Sequence, residues 1–249
     1  MIFLVLVGDS IFNDCRSSED IAELVVKIKP SIVAVGTFQR TRSPSVIFSG
    51  TGFIIGDGLH VVTNVHVLPE KVDQAKLETL AIFVRESGQE MMRAAEEVGR
   101  DEAHDVAVLK ISGAPLPPMT LGDSMKVREG EIYAFSGYPI GMVLGLYPVT
   151  HRAMISAITP IAIPVHQYRQ LDKTMLNRLQ NPYKVFQLDG TAYPGNSGSP
   201  LYDIKSGTVV GVINKVFVQE SKEHILDRPS GISYAIPIRL VEDLLRKFK

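Results

Sequence analysis

The chain has 249 residues, 45% hydrophobic and 21% charged, with a formal net charge of −1 and one cysteine, Cys15. This length and composition suit one large globular β domain or two small ones. The near-zero charge gives no footprint for nucleic acid or an anionic membrane, and a lone cysteine excludes an internal disulfide and a cysteine-based zinc site. Residues 1–7 are apolar, but no Lys or Arg precedes them and Gly8-Asp9 ends the run early. Residues 1–16 are therefore read as the remnant of an export signal or leader, against a misplaced start. A short amphipathic helix is expected over 17–29. Ser17 or Ser18 can cap it, Ile21, Leu24, Val25 and Ile28 share one face, and Pro30 stops it.

From Ser31 the pattern turns to β. Strands are expected over 32–35, 50–55, 59–63, 80–85, 91–98, 106–111, 132–135, 144–150, 152–158, 184–188, 208–217 and 232–236, with Gly/Pro turns between them. So many short strands indicate an all-β architecture, closed or sandwiched. The uncharged run 132–150 nears the length of a membrane span, but Gly137, Pro139, Gly141, Gly145 and Pro148 break it, so it reads as two strands about a turn rather than a helix in lipid. Residues 114–118 carry three prolines and form a loop, and 167–181 is a long polar segment that either shapes a neighbouring site or is a surface excursion. A final helix is expected over 238–249, with Val241, Leu244, Leu245 and Phe248 on one face.

The stretch Tyr193-Pro194-Gly195-Asn196-Ser197-Gly198-Ser199-Pro200-Leu201 cannot be a helix, because Pro194 and Pro200 bracket it. Its glycines permit a turn that aims several N–H groups into one concavity beside a hydroxyl, as acyl transfer requires. His66 follows Thr63-Asn64-Val65 where a strand has just ended, a rigid place from which to face a cleft. It is the candidate base among six histidines, ahead of His60 inside a strand. Asp105 opens the apolar run Val106-Ala107-Val108-Leu109. A carboxylate there is costly unless it is paired, and it can fix an imidazole tautomer. The order His66, Asp105, Ser197, at intervals of 39 and 92 residues, is that of chymotrypsin-type enzymes.

These blocks, with Thr51-Gly52-Phe53-Ile54-Ile55 and Gly231-Ile232-Ser233-Tyr234-Ala235-Ile236-Pro237, run in the order of the HtrA (Do/Deg-like) trypsin-like serine proteases, which the chain resembles over about residues 17–245. The resemblance implies two perpendicular six-stranded antiparallel β-barrels, about 17–118 and 119–249, with the site in the cleft between them. It implies Ser197 as nucleophile, His66 as general base, Asp105 as its orienting acid, and Gly195, Asn196 and Ser197 as the oxyanion-hole segment. Asp189 would steady the loop beneath the pocket, and Thr191, Tyr193, Ile213, Asn214, Lys215 and Val216 would border it. No acid stands at Thr191, so an uncharged residue is expected to fill that pocket. No metal or cofactor is implied, and the expected partners are protein or peptide substrates; relatives of this kind often form trimers, which leaves the oligomer of this chain open, and a periplasmic or secreted location is expected ahead of a cytoplasmic one. Ser199 departs from the family's usual glycine, 158–181 is longer than compact members need, and no PDZ domain is expected. The competing reading is a trypsin-like scaffold that binds unfolded or partner protein with little or latent proteolysis.

Overall fold

The computed structural model describes residues 13–86, 88–139, 145–161, 182–214 and 232–247, with side chains from Ile21 onward. Its strands among these residues are β1 Ile32–Phe38, β2 Val46–Ile55, β3 His60–Thr63, β4 Thr79–Glu86, β5 Gln89–Asp101, β6 Val106–Ile111, β7 Ile132–Gly137, β8 Val149–Pro160, β9 Lys184–Leu188, β10 Pro200–Asp203, β11 Val209–Asn214 and β12 Ser233–Pro237. Helix α1 spans Asn13–Ile28 and α2 spans Arg239–Arg246.

The strands close into two antiparallel barrels with ring orders β1-β2-β3-β6-β5-β4 and β10-β11-β12-β9-β8-β7. Counted from its own first strand, each barrel follows the same path, so one six-strand plan occurs twice without a repeat visible in the sequence. Closure leaves no open sheet edge, which is how an all-β chain avoids pairing with its neighbours.

Burial explains where each strand lies. The second half of β2 is buried on both faces, because Phe53 and Ile55 turn to the core between the barrels and Ile54 turns into the first barrel. The core between the barrels draws Val62, Val106 and Val108 from the first barrel and Ala134, Tyr202, Val212 and Ile236 from the second. The second barrel fills its interior with Phe135, Ile155, Leu188, Leu201 and Ile213. Leu24 and Ile28 of α1 lie over Gly207, in the β10–β11 turn, while the next strand enters the first barrel. From the C-terminal side, α2 buries Leu240, Val241 and Leu244 in the shared core. Each terminal helix therefore ties its own end of the chain to the opposite barrel.

The sequence reading misplaces some boundaries. Residues 144–150 and 152–158 were expected as two strands, but Val149–Pro160 is one, with a register shift between Ile155 and Ala157. The four-residue β10 escapes the periodic pattern because it is too short to show one and begins at Pro200, tolerated at the first position of a strand. α1 starts ahead of the expected Ser17. The expected segment 167–181 lies outside the described residues. No helix among the described residues is long and apolar enough to cross a membrane.

Candidate active site

His66 stands in the 3₁₀ turn Val65–Val67 that follows β3, where the Val67 N–H donates to the Asn64 carbonyl at 3.3 Å. Asp105 occupies the turn between β5 and β6 with φ +57°, a left-handed conformation that aspartate tolerates better than most residues. Its carboxylate, 7% exposed, accepts from the His66 main-chain N–H on Oδ1 at 3.0 Å and faces His66 Nδ1 at 2.6 Å on Oδ2. With a carboxylate accepting, Nδ1 carries the proton, which in a neutral imidazole leaves the lone pair on Nε2. The imidazole is 32% exposed, so His66 faces outward from a buried carboxylate.

Two side chains that the sequence did not mark for this role complete the setting of Asp105. The amide of Asn214, at the end of β11, donates to Asp105 Oδ2 at 2.7 Å, and the amide of Asn64 donates to the Asp105 carbonyl at 2.9 Å. Asn64 and Asn214 are both wholly buried. The signal for Asn64 was its place between Thr63 and the turn of His66, where an inaccessible polar residue needs a partner. Asn214 was expected beside the pocket, and its side chain turns to the acid.

Ser197 lies between β9 and β10 in two successive turns. In 193–196 the Asn196 N–H donates to the Tyr193 carbonyl at 3.0 Å, and in 196–199 the Ser199 N–H donates to the Asn196 carbonyl at 3.0 Å. Gly195 at φ +98° and Gly198 at φ +87° hold the third position of each, which identifies type II turns. A Cβ on Gly198 would lie 2.6 Å from Thr63 Oγ1 and closer still to the Thr51 carbonyl. The turns are tied to both barrels: Thr51 N–H donates to the Ser197 carbonyl at 2.8 Å and Gly198 N–H to the Ile213 carbonyl at 2.9 Å. Ile213 precedes Asn214, so the strand that holds Asp105 also holds the serine turn. Gly50 sits between the two halves of the site, where a Cβ would meet Val67 Cγ2 at 2.7 Å and the Ser197 carbonyl at 2.9 Å.

The Asn196 N–H is used within its turn, whereas the N–H groups of Gly195 and Ser197 have no partner among the described residues. Ser197 Oγ likewise makes no hydrogen bond to the His66 ring among these residues. Ser199, in place of a second glycine, is wholly buried and fits because Gly137 has no Cβ to meet its hydroxyl.

The family model for the trypsin-like peptidase domain matches residues 50–212. The chain belongs to the trypsin-like peptidase domain family. It is 33% identical over 200 residues to a probable periplasmic serine endoprotease, DegP-like, of Pseudomonas putida, covering 80% of this chain and 35% of that relative. The chain thus spans about a third of the length of the curated relatives it matches. Among solved structures it is similar to Deg5 (26% identity, TM-score 0.64, 91% of this chain and 92% of that one). It is also similar to the HtrA-type protease AlgW with a tripeptide (25% identity, TM-score 0.63, 91% and 62%).

In this trypsin-like chain the loop before the serine runs over β8. Asp189 Oδ1 accepts from the Met154 N–H at 2.7 Å. A Cβ on Gly190 would lie 2.7 Å from Ala153 Cβ. Ser233 clasps the other side, donating to the Gly190 carbonyl at 2.6 Å and accepting from the Ala192 N–H at 2.7 Å. Thr191 and Tyr193 are half-buried, Ile213 is inside the second barrel, and Lys215 and Val216 lie outside the described residues. Of the other histidines, His60 pairs with Asp57 and His104 with Asp101, each at 2.8 Å. His151 stacks on Phe135 at 4.8 Å, 6.3 Å from the Tyr193 ring.

Proposed function

We propose that this chain is a serine endopeptidase acting on protein substrates through an acyl-enzyme. Ser197 attacks the scissile carbonyl while His66 Nε2 takes its proton, and Asp105 holds the ring in the required tautomer and stabilises the imidazolium. The Gly195 and Ser197 N–H groups receive the oxyanion. His66 then returns the proton to the leaving amine, and water repeats the sequence to release the acid. The observation that carries this reading is the Asp105 carboxylate gripped by His66 and Asn214, on the same strand end that anchors a serine turn with two unspent N–H donors. Residues 17–249 constitute the protease domain. Thr191, Tyr193, Ile213, Asn214 and Lys215 border the pocket for an uncharged side chain, and the names of the relatives support a periplasmic setting.

Replacing Ser197 by Ala is expected to lower casein hydrolysis by a factor on the order of 10⁶, by analogy with loss of the nucleophile in subtilisin. Undiminished cleavage by that variant contradicts the reading. The open contact between Ser197 and His66 supports one second reading, a latent form in which the two meet only once peptide is bound. Its mark is labelling of Ser197 by a fluorophosphonate only when peptide is added.

A further inference from the structure

One buried hydroxyl stands directly behind the turn that carries Gly195 and Ser197. Thr51 of β2 is wholly inaccessible to solvent. Its Oγ1 accepts from the Tyr138 N–H at 3.0 Å and donates to the Gly195 carbonyl at 2.7 Å. Its main-chain N–H donates to the Ser197 carbonyl at 2.8 Å, and its carbonyl accepts from Thr63 Oγ1 at 2.7 Å. Thr51 therefore holds the carbonyl of each residue whose N–H is assigned to the oxyanion. The main-chain contacts could come from any residue, but the contact to Gly195 needs a hydroxyl.

We propose that the Thr51 hydroxyl is a positioning residue for the oxyanion donors, an inference that rests on the protease reading above. Glycine visits positive and negative φ with similar ease, so Gly195 brings little stiffness of its own to φ +98°. The 193–196 turn closes on one internal hydrogen bond, from Asn196 to Tyr193, which holds the N–H end of the Gly195–Asn196 peptide and leaves its carbonyl end to the Thr51 hydroxyl. A hydroxyl that fixes the Gly195 carbonyl fixes the Gly195–Asn196 peptide plane, and so limits how far the adjoining Pro194–Gly195 peptide, which carries the Gly195 N–H, can rotate about the Gly195 Cα. The hydroxyl is in turn oriented by the Tyr138 N–H, just past β7. The oxyanion turn is thus referenced to both barrels at once, through a hydrogen-bond chain with a single sense: Tyr138 N–H to Thr51 Oγ1, Thr51 O–H to Gly195 O. The Thr51 hydroxyl belongs to a wholly inaccessible residue, and displacements of about 1 Å in such sites cost on the order of 10²-fold in rate.

The test compares Thr51→Val, which keeps the shape and removes the hydroxyl, with Thr51→Ser, which keeps the hydroxyl. Thr51→Cys keeps the volume with a weak donor and decides the matter if the valine variant does not fold. Rates on fluorescent casein are taken per correctly folded molecule, counted from the thermal transition. The valine variant is expected to lose about 10- to 100-fold in kcat with KM within about 3-fold, the serine variant to stay within about 3-fold of the parent, and the cysteine variant to fall between. A peptide boronate, whose tetrahedral adduct puts an oxygen in the oxyanion position, should lose affinity by the same factor as kcat, while a product peptide should not. Parent-like kcat and boronate affinity in the valine or cysteine variant overturns the inference, as does an equal loss in the serine variant. A parent chain that neither cleaves casein nor takes a fluorophosphonate on Ser197 overturns the protease reading, and this inference with it.

Discussion

His151 shows how a single side chain can carry a measurable property outside the proposed chemistry. Burial alone pushes its imidazole below the ordinary histidine value, and its Nε2 is buried without a hydrogen-bond partner. The unfolded chain takes up the proton near pH ~6.5, whereas the folded chain resists it. Stability from this group is therefore complete above that pH and is lost as the pH falls through the lowered folded value. Thermal unfolding between about pH 7.5 and pH 5.5 should show a falling Tm whose slope is shallower in His151→Phe, which keeps a ring on Phe135; equal slopes would contradict the assignment. None of this was legible in the sequence, where His151, one of six histidines, has no motif around it. His66, Asp105 and Ser197 were legible because each sits in a local pattern of strand end, turn and glycine. Asn214 and Thr51 hydrogen-bond to residues 109 and 144 positions away, and no local pattern encodes such a meeting.

The elements were read most accurately where hydrophobic runs were long and bounded by turns, as in β6. They were read least accurately where tertiary pairing sets the length. β5 extends from Gln89 to Asp101 with most of its residues exposed, because pairing with both β4 and β6 holds it. β8 stays one strand because β7 and β9 pair along successive parts of it. Close approach of backbones is a second hidden constraint. At the β1–β2 bulge, a Cβ on Gly36 would enter the contact distance of the Ile47 carbonyl. Backbone cannot swing aside as a side chain can, so Gly36→Ala should destabilise by about 3 kcal/mol. For a chain of this size that is roughly 6–12 °C in Tm; calorimetry showing a change under about 2 °C would contradict the packing described.

At the scale of the whole molecule, the two barrels share a core rather than merely touching. Val106 and Val108 from one and Tyr202, Val212 and Ile236 from the other belong to the same buried cluster, closed by Leu244 of α2. Unfolding either barrel alone would expose that cluster, so calorimetry should record one cooperative transition. Leu244→Ala should move the whole transition down, at about 2–5 kcal/mol for a buried leucine; two separable transitions, with only one displaced, would contradict a shared core. The same junction gives the site its shape, since His66 and Asp105 come from the first barrel and Ser197 and Asn214 from the second.

The central claim is that one serine hydroxyl at this junction is made nucleophilic by a histidine. Its most direct test is fluorophosphonate labelling of the whole chain, followed by mass-spectrometric mapping of the adduct. The account predicts a single adduct on Ser197 that is lost in His66→Ala. An adduct on another residue, or equal labelling of Ser197 without His66, would contradict it.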